Sequence, residues 1–201
     1  MAAPTAPTSA TNTHDSVTVK MIGVLLWGAA VAVLLGVYAN EHTATKEKPY
    51  TLFFTDTIQL KVWFATAAVI LAVVQVLLAL RIYGKLRWPR TAPPWLGDAH
   101  RLTGVVAFAL TLPVAYHCLW SLGFQSVDMA GEASTRVLIH SITGCFFYGA
   151  FVTKVLCVRM RGLPGWTLPV IGGLVFSALV VLFITSSLWY FVDRPAGFPL
   201  F

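Results

Sequence analysis

Two histidines, His117 and His140, stand inside apolar stretches that are each long enough to cross a lipid bilayer. An imidazole at that depth is costly, so it indicates a ligand, a polar partner or a role in proton transfer. Imidazole nitrogens are axial ligands of haem iron in many haem proteins. The pair therefore predicts one haem b, with its iron bound by His117 from one side and by His140 from the other.

The composition defines the elements that must carry these two side chains. The chain has 201 residues, of which 57% are hydrophobic and 11% are charged, and its mean hydropathy is +0.75. This is too little polar surface for a water-soluble globule. We predict an all-α, polytopic membrane bundle of five transmembrane helices, since each apolar run approaches the roughly 20 residues that span hydrocarbon. The runs are Val19 to Ala39, Thr57 to Tyr83, His100 to Leu122, Arg136 to Val158 and Trp166 to Val192.

The positive charges indicate how the bundle is oriented. The net charge is +6, but the cations cluster at two connections, so they indicate topology and no nucleic-acid partner. The positive-inside rule places the second and fourth connections in the cytoplasm, which makes the N-terminus cytoplasmic and the C-terminus external. The cations concerned are Arg81, Lys85, Arg87, Arg90 and Arg101 at the second connection, and Lys154, Arg159 and Arg161 at the fourth.

The two histidines are predicted to reach a common depth. His117 lies about five residues, or roughly 7 to 8 Å, from the external end of the third helix. His140 lies about four residues from the external start of the fourth helix. A short connection makes these helices antiparallel neighbours, so the imidazoles can face each other across a flat macrocycle.

Four further residues fit a haem at this level. Arg136 is one helical turn before His140, where its guanidinium can pair with a haem propionate, and Lys61 on the second helix is another propionate partner. Gly144, one turn after His140, leaves room for the porphyrin. Pro113 cannot donate a hydrogen bond to Ala109 and so can bend the helix below His117.

Each of these features also has a purely structural interpretation. Gly144 and Gly149 are equally typical of close helix packing, and Arg136 of a helix boundary at the lipid headgroups. The two histidines can hydrogen-bond each other or nearby hydroxyls in a cofactor-free bundle.

Three other polar side chains, those of His100, His42 and Gln75, are not assigned to the predicted haem site. His100 is about 100° away from the face of His117 and has no second histidine opposite, since Lys154 stands where a second-haem ligand would be. We interpret His100 as interfacial, with a quinone or proton site as the alternative. His42 belongs to an external loop, from which it can replace an axial ligand if the loop folds inward, and Gln75 forms an interhelical hydrogen bond or part of a quinone pocket.

The cysteines and the two ends of the chain carry no further motif. Cys118, Cys145 and Cys157 form no disulfide framework and no C-x-x-C-H motif, so we interpret them as small apolar residues. Residues 1–18 are predicted to be a disordered cytoplasmic tail, residues 19–192 the membrane domain and residues 193–201 an external tail.

On His117, His140, Arg136 and the nearby glycines, the chain resembles the b-type cytochrome superfamily, including ferric-reductase-like transmembrane domains. It is also similar to small five-helix actinobacterial membrane proteins. The cytochrome resemblance covers about His100 to Val158 and implies a haem that carries single electrons. Those families typically stack two histidine pairs across the membrane, whereas this chain completes the external pair alone.

The sequence therefore predicts a cytochrome b subunit for electron transport in the cell membrane, with a single haem near the external face. No nucleotide or flavin motif is present, so an external or membrane redox protein must supply the substrate chemistry of the oxidoreductase. The alternative is a cofactor-free membrane anchor or assembly subunit of a larger complex. A small transporter is a third, weaker interpretation.

Overall fold

The computed structural model describes residues 10–45, 50–87, 91, 93–126 and 131–193, and for residues 10–16 it describes the backbone alone. Five of its helical stretches are long and apolar enough to cross a membrane. The predicted all-α architecture with five spans is confirmed, and each predicted boundary lies within a few residues of the observed one. The spans run over Val17–Glu41, Thr57–Ile82, Leu96–Leu122, Thr135–Val158 and Thr167–Asp193.

Two of the spans are not α-helical throughout. The third consists of α3 and a π-helical segment, π1, and the fifth consists of α5, a π-helical segment, π2, and α6. We call the end of the bundle where α1 ends and α2 begins the upper end, and the opposite end the lower end. The elements are α1 (Ala10–Glu41), α2 (Thr57–Ile82), α3 (Leu96–Tyr116), π1 (His117–Leu122), α4 (Thr135–Val158), α5 (Thr167–Phe183), π2 (Ile184–Leu188) and α6 (Trp189–Asp193).

Burial follows the pattern expected of a protein surrounded by lipid. Large apolar side chains cover the outside, such as Trp27 at 68% exposed and Leu102 at 65%. Polar side chains are buried between the helices instead, and His117 and Ser187 are each 0% exposed. An apolar exterior is favourable in hydrocarbon, while buried polar groups mark helix contacts or functional positions.

The helices pack in two layers that are joined through α5. The α3 helix packs on α2, while α1 and α5 both pack on α4, and α5 also reaches α2. A buried core of small and large apolar side chains fills the junction of α2, α4 and α5. It consists of Ala68, Ala72, Phe147, Val175, Ala178 and Leu179.

A pair of glycines sets the distance between α1 and α4. A Cβ atom added to Gly28 would lie 2.7 Å from the carbonyl oxygen of Gly149, and one added to Gly149 would lie 2.9 Å from the Cβ of Ala32. Neither glycine has room for a side chain, so the two backbones approach closely. The packing interpretation of Gly149 is therefore confirmed.

Local signals explain several helix ends. The Asp56 carboxylate accepts a hydrogen bond from the Thr57 backbone N–H at 2.6 Å and so caps the start of α2. Gly123 follows π1 with a φ of +70°, where its missing side chain also avoids the Ala39 carbonyl oxygen.

The α1 helix begins at Ala10, within the stretch predicted to be a disordered tail. No glycine or proline lies between Ala10 and Val19, so the helix of the first span can continue into this polar stretch. Residues 1–9 and 194–201, which belong to the two predicted tails, lie outside the described residues.

Candidate cofactor site

A cavity of about 340 Å³ occupies the upper half of the bundle, and all five spans contribute to its wall. Its volume falls in the range of about 300 to 1,000 Å³ that is usual for ligand sites. The lining is mostly apolar, but it includes three basic side chains: Lys61, Arg136 and His140. No aspartate or glutamate is among the lining residues of this described cavity.

Both π-helical segments converge on this cavity. Cys118, Leu119 and Leu122 of π1 line it, and so do Thr185 and Ser187 of π2. A π turn adds one residue to a helix, which redirects the side chains around it and leaves backbone carbonyls outside the regular ladder. Such turns occur often at functional sites.

His140 is held in one orientation by Thr185. The Thr185 hydroxyl lies 2.9 Å from His140 Nδ1, and the same hydroxyl donates its hydrogen to the Val181 carbonyl oxygen at 2.7 Å. A hydroxyl has a single hydrogen to donate, so while Thr185 donates to Val181, Nδ1 is the donor to Thr185. In the neutral ring, Nε2 then carries the lone pair that can bind a metal or accept a proton.

Arg136 also depends on the π2 region. Its Nη1 donates to the Thr185 carbonyl oxygen at 2.6 Å, and its guanidinium carbon lies 3.8 Å from the centre of the Trp189 ring. These two contacts hold the cation in the cavity wall by a hydrogen bond and a cation–π interaction. The sequence placed Arg136 and His140 on one face of α4, and both do line the cavity.

Lys61 and Cys118 form a polar group beside His140. Lys61, Cys118 and His140 line the same cavity, and Cys118 is close enough to the other two for an electrostatic interaction. The sequence interpretation treated Cys118 as a small apolar residue. Its position in a cavity wall that also contains a cation and an imidazole gives it a more polar environment than that interpretation assumed.

His117 is fully buried, but it is not among the residues that line the cavity. Its ring packs against the Tyr50 ring, with 4.6 Å between the ring centres, and neither ring nitrogen has a hydrogen-bond partner among the described residues. Tyr50 belongs to the connection between α1 and α2; partial burial and the nearby Tyr116 raise the pKa of its phenol. The next residue, Cys118, does line the cavity.

Gly144 and Gly149 have different surroundings although both are on α4. Gly144 lines the cavity, and a Cβ added there would meet nothing closer than Leu182 at 3.9 Å. Of the two sequence-predicted glycines, Gly144 is therefore the one that borders open space.

Aromatic side chains fill the space between α3 and α4 at the lower edge of the cavity, where Thr111 and Tyr148 belong to its wall. Phe108 stacks on Phe151 with 3.9 Å between the ring centres. The Tyr148 hydroxyl donates to the Thr111 carbonyl oxygen at 3.0 Å. These contacts join the two helices at that edge.

Above the cavity, the end of α1 folds against π1. His42 Nε2 lies 3.2 Å from the Trp120 carbonyl oxygen, and the His42 ring stacks on Tyr38 with 5.2 Å between ring centres. His42 therefore packs on π1, and it is not among the cavity-lining residues.

A separate polar group lies near the lower end. The Gln75 amide donates to the His100 carbonyl oxygen and to the Thr103 hydroxyl, which confirms the predicted interhelical hydrogen bond. Lys154 is close enough to His100 for an electrostatic interaction. This group belongs to the opposite half of the bundle from His140.

Of the five predicted cofactor residues, four border one cavity: Lys61, Arg136, His140 and Gly144. Sequence reasoning missed Thr185, Trp189 and Cys118. The run Thr185-Ser186-Ser187 inside an apolar span was the available signal, because three consecutive hydroxyls in lipid need partners. Among the described residues, no three His, Cys, Asp or Glu side chains meet as a metal-ion site.

The fold and the cavity define the class of protein. It is a helical membrane protein of five spans, with an internal cavity in the upper half of the bundle whose wall includes basic side chains. A family model described as a family of unknown function, DUF6529, matches residues 21–197. This match includes all five spans apart from the start of the first, so the chain belongs to that family. No curated protein and no solved structure matches the chain.

Proposed function

We propose that this protein is a membrane cytochrome subunit that binds one haem b in the upper cavity and carries single electrons. The observation that carries the proposal is the geometry of His140, whose Nδ1 is bound by Thr185 within a cavity that has basic groups in its wall. Axial histidines of metal sites commonly have their second ring nitrogen held by such a partner. The bound haem would supply one-electron chemistry, and the protein supplies orientation and charge.

The cavity wall fits the two chemical halves of a haem. Apolar side chains and the open space at Gly144 suit a porphyrin ring. Arg136 and Lys61 suit its anionic propionates, which would offset two positive charges held in a medium of low polarity. Among the described residues, no aspartate or glutamate lines the cavity itself.

His117 is proposed as the second histidine that would hold the haem. Support comes from its burial and from its two ring nitrogens, which have no hydrogen-bond partner among the described residues. An unsatisfied buried imidazole costs free energy, and binding to a haem iron through one nitrogen would remove part of that cost. Because His117 packs on Tyr50 outside the cavity wall, this role requires its ring to turn toward Cys118 and the cavity.

Orientation in the membrane follows from the charges. The described cations at the lower end, among them Lys85, Arg87 and Arg159, favour a cytoplasmic location for that end. The proposed haem would then lie near the external face, with the C-terminus also external. It would exchange electrons there with an external or membrane redox protein, or with a quinone at the interface.

A reduced-minus-oxidised visible spectrum of the purified protein tests the haem directly. We expect the bands of a low-spin haem b, which are lost in His140→Ala because the oriented ligand is gone. In His117→Ala we expect the spectrum to become high-spin, because one axial position is open. His100→Ala is the matched control, since this histidine lies in the other half, and its spectrum should equal that of the natural protein.

A cofactor-free anchor or assembly subunit is the second candidate. It is favoured by the fact that Thr185 already gives partners to both His140 and Arg136. If this is the function, the purified protein forms no haem bands when haem is supplied, and the His117→Ala variant still folds. The same spectra therefore separate the two functions.

A further inference from the structure

We infer that a hollow on the outside of the bundle binds a phospholipid with an amine-bearing headgroup, through the cation of Arg136 and the carboxylate of Asp193. The class of ligand is a phosphodiester joined to a primary amine by a short linker, and phosphatidylethanolamine is its membrane form. This site goes beyond the proposed electron carrier, because it takes a lipid from the surrounding bilayer and needs no haem.

The hollow opens on the outer side of the fifth span. It has a volume of about 320 Å³ and adjoins the internal cavity, since Arg136 and Trp189 line both spaces. Part of its wall is an apolar stripe at four-residue spacing, formed by Ile184, Leu188 and Val192, which are 40% to 71% exposed. Residues four apart share one face of a helix, and an exposed apolar face of a membrane span contacts lipid. The wall therefore suits an acyl chain.

The cation of this hollow is held in place before any ligand binds. Arg136 Nη1 donates to the Thr185 carbonyl oxygen at 2.6 Å, and the guanidinium carbon lies 3.8 Å from the centre of the Trp189 ring. A side chain that is already ordered loses little conformational entropy on binding. A guanidinium has five N–H donors in a planar fork, so it can bind a carbonyl oxygen and a phosphate at the same time.

The depth of Arg136 matches that of a lipid phosphate. Arg136 is the second residue of α4, and Trp189 lies one turn below Asp193, at the upper end of the described part of the fifth span. Arginine and tryptophan commonly anchor helices at the level of the lipid headgroups. A phosphate bound by Arg136 would stand at this level, and its acyl chains would run down past Ile184.

Asp193 determines the class of headgroup. Of the described residues in the wall of the hollow, two are charged, Arg136 and Asp193. Asp193 lies one helical turn, or about 6 Å, above Trp189. Its carboxylate repels a headgroup that carries negative charge alone and attracts an ammonium group.

Phosphatidylethanolamine supplies both complementary charges. Its phosphate suits Arg136, and its ammonium group has three N–H donors for the carboxylate of Asp193. The linker between phosphate and amine allows the two groups to bind side chains about one helical turn apart. Phosphatidylglycerol has no amine, and the quaternary amine of phosphatidylcholine has no N–H to donate, so each lacks one of these interactions.

A matched pair of charges near the lower end provides a control. Arg101 and Asp98 lie on one helix, with a nitrogen and an oxygen 3.6 Å apart, and both side chains are 80% exposed. These two charges offset each other directly. Arg101→Gln and Asp98→Asn therefore remove the same kinds of charge as variants of the hollow, and we expect them to leave lipid binding unchanged.

The test titrates the purified full-length protein in detergent with dioleoyl-phosphatidylethanolamine, dioleoyl-phosphatidylglycerol or dioleoyl-phosphatidylcholine, and counts bound lipid by native mass spectrometry. We expect about one phosphatidylethanolamine per chain, bound about tenfold more tightly than either other lipid, because only this lipid makes both charge-assisted hydrogen bonds. Asp193→Asn should weaken phosphatidylethanolamine about tenfold without weakening phosphatidylglycerol. Arg136→Gln should weaken both of these lipids.

Equal affinities for the three lipids would overturn the inference, and so would a preference for phosphatidylglycerol, which would indicate a site for anions alone. A preference for phosphatidylethanolamine that persists in Asp193→Asn would also overturn it. If both variants lower the melting temperature but leave the lipid preference unchanged, the two charges serve the fold and the inference is wrong. Asp193 is exposed, so Asp193→Asn carries the test if Arg136→Gln does not fold. Haem spectra play no part in this test, so its failure and that of the proposed function are distinguishable.

Discussion

Replacing Thr185 should show how much the fixed orientation of the His140 ring contributes to haem affinity, because the ring itself remains. Its hydroxyl holds His140 Nδ1 and its carbonyl oxygen holds Arg136. In Thr185→Val the carbonyl stays but the hydroxyl is lost, so we expect haem affinity to fall about 10- to 100-fold, as for other outer partners of metal-binding histidines. Titration of the haem-free protein with haem measures this.

Thr185→Ser is the matched control, because it keeps a hydroxyl at the same place. We expect it to restore most of the affinity. Equal affinities for the valine variant and the natural protein would contradict an orienting role for this hydroxyl.

Lys61 is predicted to act by charge. In Lys61→Gln a cation of the cavity wall is replaced by a neutral group of similar length, so an anionic propionate loses a partner. We expect about a tenfold lower haem affinity, equivalent to about 1.4 kcal/mol. Equal weakening for haem and for its dimethyl ester, which has no carboxylates, would contradict the propionate role.

At the residue scale, the sequence predicted which α4 side chains share one face of the helix. His140, Arg136 and Gly144 follow one another at helical spacing, so their common location needed only the periodicity of α4. The direction of the His117 side chain was harder to predict. Its direction depends on a switch to π geometry and on packing against Tyr50, and neither can be derived from a regular helical period.

The two glycines of α4 allow a prediction at the scale of the helix. We expect Gly149→Ala to destabilise the protein by about 1 to 3 kcal/mol, because its methyl group would meet the backbone of α1 at Gly28. Thermal unfolding in detergent measures the change. Gly144→Ala adds the same methyl group beside open space, and its melting temperature should stay unchanged. Equal melting temperatures for both variants would contradict the close α1–α4 contact.

A hydrogen bond joins α3 and α4 at the lower edge of the cavity. Tyr148→Phe removes the hydroxyl that donates to the Thr111 carbonyl oxygen. We expect a loss of about 0.5 to 1.5 kcal/mol in unfolding free energy, while the stacked rings of Phe108 and Phe151 keep the helices together. A larger loss together with loss of the haem bands would show that this bond shapes the cavity itself.

The positions of the five membrane-spanning helices were the most predictable feature of this structure. Long apolar runs bounded by charged or turn-forming residues set the five spans, and the observed ends agree within a few residues. The π segments were not predicted. Each π segment depends on a single extra residue per turn, and a hydrophobic pattern does not reveal so small a change. The available local signal was Pro113, four residues before π1.

The whole molecule has a predicted orientation that labelling can test. Lys85 lies beyond the lower end of α2, and Gln125 lies after π1 at the upper end. In a cysteine-free background, a membrane-impermeant maleimide added to intact cells should label Gln125→Cys and leave Lys85→Cys unlabelled until the membrane is opened. The reverse pattern would place the cavity near the cytoplasmic face and move the proposed redox partner to that side.

The most direct test of a haem in the upper cavity is the haem content of the purified protein, measured as the pyridine haemochrome after saturation with haem. We expect about one haem per chain, and close to none in His140→Ala under the same conditions. A natural protein that retains no haem, or a His140→Ala variant that retains as much as the natural protein, would contradict the account.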